Sequence, residues 1–346
     1  MAAIIDDSRY RASTQFQLWS FSKAKLRDLR TKSNSIAKAH IASRLAGEAE
    51  GEIEFLSVDE EEQLLKFFIV ELLRAATFCE LPAEIRATAA VFMRRFYITN
   101  SVMMYPPTNL LKTCLFFGAK TEGHYTRLSK FSEKFPNTTP EEIVAGEFLL
   151  CQGIRFAFDV RHPFRALEGV VLELHRAYPE EDMRIQEAHI RARDILKFSP
   201  LITDAYFHYT PSQIMFAALA IADQELVDRM FDIIQSAAGP GPNKTADDHE
   251  AMKEKIYSTI TACQALLETE MPERMDQFWG TPDCNKMLRP LQKKLRKCRD
   301  PDRIDLVKLQ KARREQSQKM EEDEKAREAK RRKVGALEDP FGPPLR

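Results

Sequence analysis

The stretch from Tyr105 to Lys120, YPPTNLLKTCLFFGAK, returns 104 residues later from Tyr209 to Gln224 as YTPSQIMFAALAIADQ. The copies share an aromatic opener and align Pro107 with Pro211, Thr108 with Ser212, Asn109 with Gln213, Leu110 with Ile214, Leu111 with Met215 and Leu115 with Leu219. That interval is too long for a solenoid repeat and about the size of one small domain, so it predicts two copies of one fold in tandem. A chain of 346 residues has room for two such units with flanking segments, and 44% hydrophobic residues is enough for two cores.

In the first copy Leu110, Leu111, Cys114, Leu115, Phe116 and Phe117 leave almost no polar side, and Pro211 to Ala222 in the second carries no charge. A helix that is apolar all round is buried all round, so each copy is expected to be the central helix of its own bundle. Pro106 and Pro107 stand where a helix start favours them. With 12 glycines and few β-branched runs, strands have little support and the fold class is all-α. The expected division is 1–56, an N-terminal segment with a packing helix; 57–160, the first unit; 161–272, the second unit; and 273–346, a C-terminal helix followed by a charged, disordered tail.

Local signals fill in this plan. Ser22 can cap a helix with Leu26, Leu29, Ile36, Ile41 and Leu45 on an intermittent stripe, and Gly47 to Gly51 reads as a linker. Ser57 precedes an acidic first turn, and Pro82 opens the next helix. Thr139, Pro140 and Glu142 together spell a capping box. In the last segment Leu288, Leu291 and Leu295 recur at spacings through which a helix could dock. Beyond about residue 300 the chain offers few apolar anchors; it is expected to be dispensable for folding, either disordered or a lone solvated helix.

Much chemistry is unsupported. The seven histidines never meet a second ligand at metal spacing, and there is no H-E-x-x-H, G-x-S-x-G or G-x-G-x-x-G. GPGPNKT, residues 239–245, fails as a phosphate loop: Asn243 stands where a glycine should precede Lys244, and two prolines remove N–H donors. No catalytic residue, metal or cofactor is therefore expected. The six cysteines lack a C-x-x-C pair and no signal peptide precedes them, which reads as reduced thiols; no apolar run suits a membrane span. The formal net charge is zero, yet Asn285 to Lys333 holds 19 basic and 9 acidic residues, so the tail stands apart by composition.

One carboxylate looks misplaced. After the capping box, Ile143, Glu147, Leu150, Cys151 and Ile154 share a helical face, and a buried unpaired Glu147 would cost several kcal/mol. Lys120, closing the first central helix where a cation suits the dipole, is the natural partner; the second copy has neutral Gln224 there. Two readings stay open on the residues alone. Either the two satisfy each other inside the chain, or both reach the surface and hold the backbone of a partner.

RRFYITNSVMMYPP, ITDAYFHYTPSQI, RHPFRALEGVVLEL and WSFSKAKLRDLR resemble cyclins, in the branch that regulates the CDK-activating kinase, over residues 14–300. The resemblance implies two tandem five-helix cyclin boxes, with the echoed phrase as the third helix of each. It also implies a kinase-binding role for Lys120 in GAKTEG and Glu147 in GEFLLCQ, as the pair that hydrogen-bonds the kinase's C-helix. The implied partners are the cyclin-dependent kinase, a RING-finger assembly subunit and, through them, the TFIIH core, in the nucleus, with no direct nucleic acid and no membrane. The substrate-docking motif of cell-cycle cyclins is missing, EEQLLKFFIVELL occupying its place. Lys330 to Lys333 reads equally as a nuclear localisation cluster or a solvated basic face. The rival readings are another transcriptional cyclin, a kinase-independent helical scaffold, or a TFIIB-like tandem cyclin-fold transcription factor; the last would want an N-terminal zinc ribbon and a basic second repeat.

Overall fold

The computed structural model describes residues 9–45, 53–238 and 246–337, and among these there is no strand. The expected linker at Gly47 to Gly51 and the loop at 239–245 lie outside the described residues. Two short and long N-terminal helices, α1 (Thr14–Trp19) and α2 (Lys23–Leu45), precede a first bundle of α3 (Val58–Phe78), α4 (Ala83–Thr99), α5 (Pro107–Thr121), α6 (Leu128–Ser132), α7 (Pro140–Ala145) and α8 (Glu147–Gly153). A second bundle comprises α9 (Phe164–Ala177), α10 (Asp182–Leu196), α11 (Ser199–Ile202), α12 (Ala205–His208), α13 (Pro211–Ala222), α14 (Gln224–Ala238) and α15 (Ala246–Glu268). After it come α16 (Pro282–Cys298) and the long α17 (Leu306–Leu337).

The echoed helices are central, as their composition requires. α5 packs against α3, α4, α7 and α8, and α13 against α9, α10, α14 and α15. Leu110 and Ile214, Leu115 and Leu219 are buried at matching positions, and the buried side chains of both bundles form one continuous cluster. The expected caps form: Ser57 with Glu60 and Thr139 with Glu142 are both complete capping boxes, and the Ser22 hydroxyl accepts from the Lys25 N–H.

A largely buried ion cluster joins the parts. The Asp204 carboxylate, just before α12, accepts from Arg30 of α2 at 2.7 and 2.9 Å and from Arg94 of α4 at 2.5 Å, while Glu62 of α3 pairs with both arginines. Two cations balance two anions, and Arg94 also donates to the Ile202 carbonyl. Such a set holds because the charges are mutually satisfied; removing one member strands the others.

Four expectations need correction. On α2, Leu26 and Ile41 are buried but Ile36 is 59% exposed, because the covered stripe runs through Asn34 and Ala37. Asn34 is held by the Leu56 carbonyl and Glu61, which draws the helix round. The helix expected through Ile154 breaks at Gly146, so α7 and α8 are separate; a Cβ on Gly146 would lie 2.7 Å from Thr113 Oγ1, and that hydroxyl donates to the Ile143 carbonyl. Gln224 does not close α13: Asp223 is extended and Gln224 starts α14, donating to Asp228. Finally, the chain past residue 300 is anchored at its start, and of the two alternatives given for it the helix is the one formed. The Asp300 N–H donates to the Met103 carbonyl, Asn109 donates to the Ile304 carbonyl, and Leu306 is buried where α17 meets α7. Only from Arg314 to Lys330 are the side chains all exposed, as a solvated helix. The side chains of Arg331 to Lys333 lie outside the described ones. The docking leucines Leu288 and Leu295 are buried where α16 meets α3.

Candidate functional site

The last turn of α5 ends in a Schellman closure. His124 N–H reaches the Ala119 carbonyl at 2.9 Å, Gly123 N–H reaches the Lys120 carbonyl at 3.1 Å, and Gly123 takes the left-handed φ of +70° that this closure demands. The chain thus turns away sharply and leaves the Lys120 side chain at the rim, its ammonium 4.9 Å from the centre of the Phe116 ring. Glu147 arrives beside it because Gly146 allows α7 and α8 to come close to α5. Lys120 Nζ donates to Glu147 Oε1 at 2.6 Å, with side chains 48% and 18% exposed. Of the two open readings, the pairing within the chain is seen, with the lysine half-exposed and the glutamate mostly covered.

An aromatic ledge adjoins the pair, and sequence reasoning missed it. Phe148 and Phe156 are each 56% exposed. Their rings lie 6.5 Å apart, Phe156 is 6.2 Å from Phe158, and Phe158 is 5.3 Å from Phe117 on α5. Exposed aromatic side chains gathered in this way mark an interaction surface. The available signal was RFAFD, two phenylalanines spaced by one residue just past a helix end, which nothing local distinguishes from core.

The ledge is built on an unusual backbone. Arg155 and Phe156 have φ of 56° and 53°, the left-handed region, with no glycine to ease it. Phe156 N–H bonds to the Cys151 carbonyl and Arg155 N–H to the Gln152 carbonyl, so α8 also closes in Schellman fashion. The surroundings hold this in place. Buried Arg95 donates to the Ala157 carbonyl at 2.9 Å, and the Arg95 and Arg155 guanidinium groups lie 5.3 and 5.4 Å from the Trp19 ring. Gln15, also on α1, accepts from the Arg161 N–H at 2.6 Å. The N-terminal helix is thus packed under the loop that presents the phenylalanines. Burial pushes the Arg95 guanidinium down to about 10, partly offset by Asp159.

The site therefore consists of a half-exposed cation at a helix end and the mostly covered anion paired with it, flanked by a half-exposed apolar ledge. That arrangement can offer donors to carbonyls, an acceptor to N–H groups and apolar area to whatever lies across it. Residues 162–268 match the Cyclin C-terminal domain. Cyclin mcs2 of Schizosaccharomyces pombe is 32% identical over 221 residues, covering 61% of this chain and 68% of that protein. The chain belongs to the cyclin family.

Other relatives of this cyclin agree. Cyclin CCL1 of Saccharomyces cerevisiae is 31% identical over 244 residues, 66% of this chain but only 62% of that longer protein, and Cyclin-H of Xenopus laevis is 27% identical over 226 residues, 61% and 67%. Among solved structures, a chain of the CAK complex from Chaetomium thermophilum bound to ATP-gamma-S is similar at TM-score 0.83 and 49% identity, over 90% of this chain and 95% of that one. A chain of the yeast TFIIK (Kin28/Ccl1/Tfb3) complex is similar at TM-score 0.59 and 26% identity, over 75% and 100%. This cyclin is of the cyclin H type, and its two bundles are the tandem cyclin boxes of the family; α5 is the third helix of the first, and α13 is the third long helix of the second, after the four-residue α11 and α12.

Proposed function

We propose that this cyclin is the regulatory, non-catalytic subunit of a CDK-activating kinase and binds the kinase through Lys120, Glu147 and the ledge of Phe148, Phe156 and Phe158. The observation that carries the reading is the Lys120–Glu147 pair, its lysine half-exposed, beside an aromatic surface on the first box. Its relatives' assemblies support it, since the similar chains come from a CAK complex and from TFIIK with Kin28 and Tfb3.

The physics is that of a clamp without sequence readout. Lys120 brings three donors for backbone carbonyls and Glu147 accepts from backbone N–H groups, so together they can hold one end of the kinase's C-helix. Exchanging their mutual bond for bonds to a partner loses little, because an ion pair whose lysine is half-exposed is worth only about 1 kcal/mol. A kinase needs its C-helix glutamate paired with the lysine of strand β3 to seat the ATP phosphates. A cyclin that binds the inward C-helix better than the outward one shifts the population toward the active state. In this reading the RING-finger subunit and the TFIIH core are further partners, the site of action is the nucleus, and the supported reactions are phosphorylation of the RNA polymerase II C-terminal domain and of CDK activation loops.

The test is co-purification of the full chain with its kinase and an assay on an RNA polymerase II C-terminal repeat peptide. Activity should require the cyclin and fall with Glu147→Ala while the free cyclin melts normally. A kinase equally active without the cyclin, or one insensitive to Glu147→Ala, overturns the proposal.

A further inference from the structure

His162 lies just before α9, at the start of the second box, partly buried, in a part of the molecule that the clamp does not use. Its Nδ1 is 2.7 Å from the Tyr206 hydroxyl on α12, and its Nε2 is 2.8 Å from the Thr88 hydroxyl oxygen on α4. Thr88, which is fully buried, donates to Glu122 Oε1 at 2.5 Å. Glu122 is the cap residue of α5, two positions after Lys120. The four side chains thus form one unbroken series from the second box to the end of the helix that carries the clamp.

The direction of every proton in the series is fixed by chemistry. A carboxylate only accepts, so Thr88 gives its single proton to Glu122, and its oxygen must then accept from an Nε2–H. A neutral imidazole with a proton on Nε2 leaves Nδ1 to accept from the Tyr206 hydroxyl. The ring is held neutral: burial first, and then the positive charge of Arg95, push its pKa down to about 3. Each buried group therefore has a partner, and the series has one consistent polarity.

Helix ends are where such support matters. The last turn lacks the following turn's N–H groups as partners and frays readily. Here the α5 end has its Schellman closure from within and the Glu122 tether from outside, while Lys120 sits in the same turn. We infer that His162 is a positioning residue for the kinase clamp, holding the last turn of α5, and with it Lys120, through Thr88 and Glu122; the inference rests on the proposed kinase-binding role of Lys120. It makes the second box a structural reference for a contact that the first box makes.

The test is a double-mutant cycle on kinase affinity with the full chain, at one ionic strength. Thr88→Val keeps the shape and removes the hydroxyl; Thr88→Ser keeps the hydroxyl and should retain wild-type binding. Thr88→Val should weaken kinase binding by about 3- to 10-fold, the range one hydrogen bond commands, in the Lys120 background. In the Lys120→Ala background the same change should have no further effect. Glu122→Ala, at an exposed position that does not touch core packing, should reproduce the pattern, and melts of each free variant guard against misfolding. Equal losses in both backgrounds, or no loss from either Thr88→Val or Glu122→Ala, overturn the inference while leaving the clamp intact. If Lys120→Ala itself leaves binding unchanged, the clamp reading falls and takes this one with it.

Discussion

α5 and α13 begin alike and end differently. α5 runs for 15 residues and closes through Gly123, leaving Lys120 at the rim with Glu147 as its partner. α13 runs for 12 and stops at extended Asp223, whose carboxylate accepts from Arg184 at 2.6 and 2.9 Å and from the Leu226 N–H at 3.3 Å, capping the next helix. Arg184 and Arg229 also bind Glu225 and Glu181, and their hydrogen bonds hold the Glu225 carboxyl down to about 2. The second box therefore ties the end of its central helix into its own surface, whereas the first leaves its end addressable. One core helix serves two purposes because burial constrains its middle and leaves its termini to diverge.

The two boxes are held together by the cluster around Asp204, and the largest effect comes from breaking it. Asp204→Ala should lower stability by about 3–5 kcal/mol, since it strands Arg94 and Arg30 beside Glu62 alone, and the thermal melt reads it directly. Burial alone would raise the Asp204 carboxyl, but the charges and hydrogen bonds of Arg94 and Arg30 outweigh it and hold it well below the usual carboxylate range. Its folded value lying below its unfolded one, the stabilisation is complete above about pH 4 and is lost as pH falls toward the folded value. Melting temperature against pH should thus decline less steeply below pH 4 in Asp204→Asn than in wild type; parallel curves would remove Asp204 from the acid sensitivity.

The asymmetry of the helix ends predicts unequal binding losses. Lys120→Ala should weaken kinase binding by about 2–5 kcal/mol, as for a desolvated charged contact, while changing the free protein's stability by less than about 1 kcal/mol. Isothermal titration with the kinase, paired with melts, separates the two. A large melt shift with unchanged affinity would restore the purely internal role of the pair.

A smaller effect concerns what flanks the first box. Ending the chain after Asp300 removes Leu306, whose burial is worth about 1.5–3 kcal/mol, together with the Asn109 bond to Ile304. Among the described side chains, ending it after Arg314 removes only exposed ones, and it should leave the melt in place. Identical melts for the two would show that α17 lends the first box no stability. At the bottom of the scale, Gln224→Ala should change kinase affinity by no more than about 0.5 kcal/mol, as for surface substitutions generally. A loss equal to that of Lys120→Ala would mean that the second box also meets the kinase, and the contrast between the boxes would fail.

Short-range patterns decided much of this protein within the sequence itself. Apolar faces all round made α5 and α13 central, and the echo between them made two bundles. Ser57 with Glu60 and Thr139 with Glu142 set helix starts through contacts only three residues apart, and the spacing of Leu288 and Leu295 sufficed to dock α16. Lys120 and Glu147 were found together because a carboxylate on an apolar stripe needs a cation, although their closeness depends on Gly146 meeting Thr113 across the bundle. What escaped was whatever depended on a distant covering element. Ile36 reads like Ile41, yet only one of them faces the core. Phe156 and Phe158 read as core residues until a left-handed backbone, propped by Trp19 and Arg95 from elsewhere in the chain, turns them outward. His162 reads as an unremarkable histidine until Thr88 and Tyr206 bond its two nitrogens. Periodicity states which side chains must be covered together, but burial is a property of the neighbour that does the covering, and that neighbour is fixed only when the helices pack.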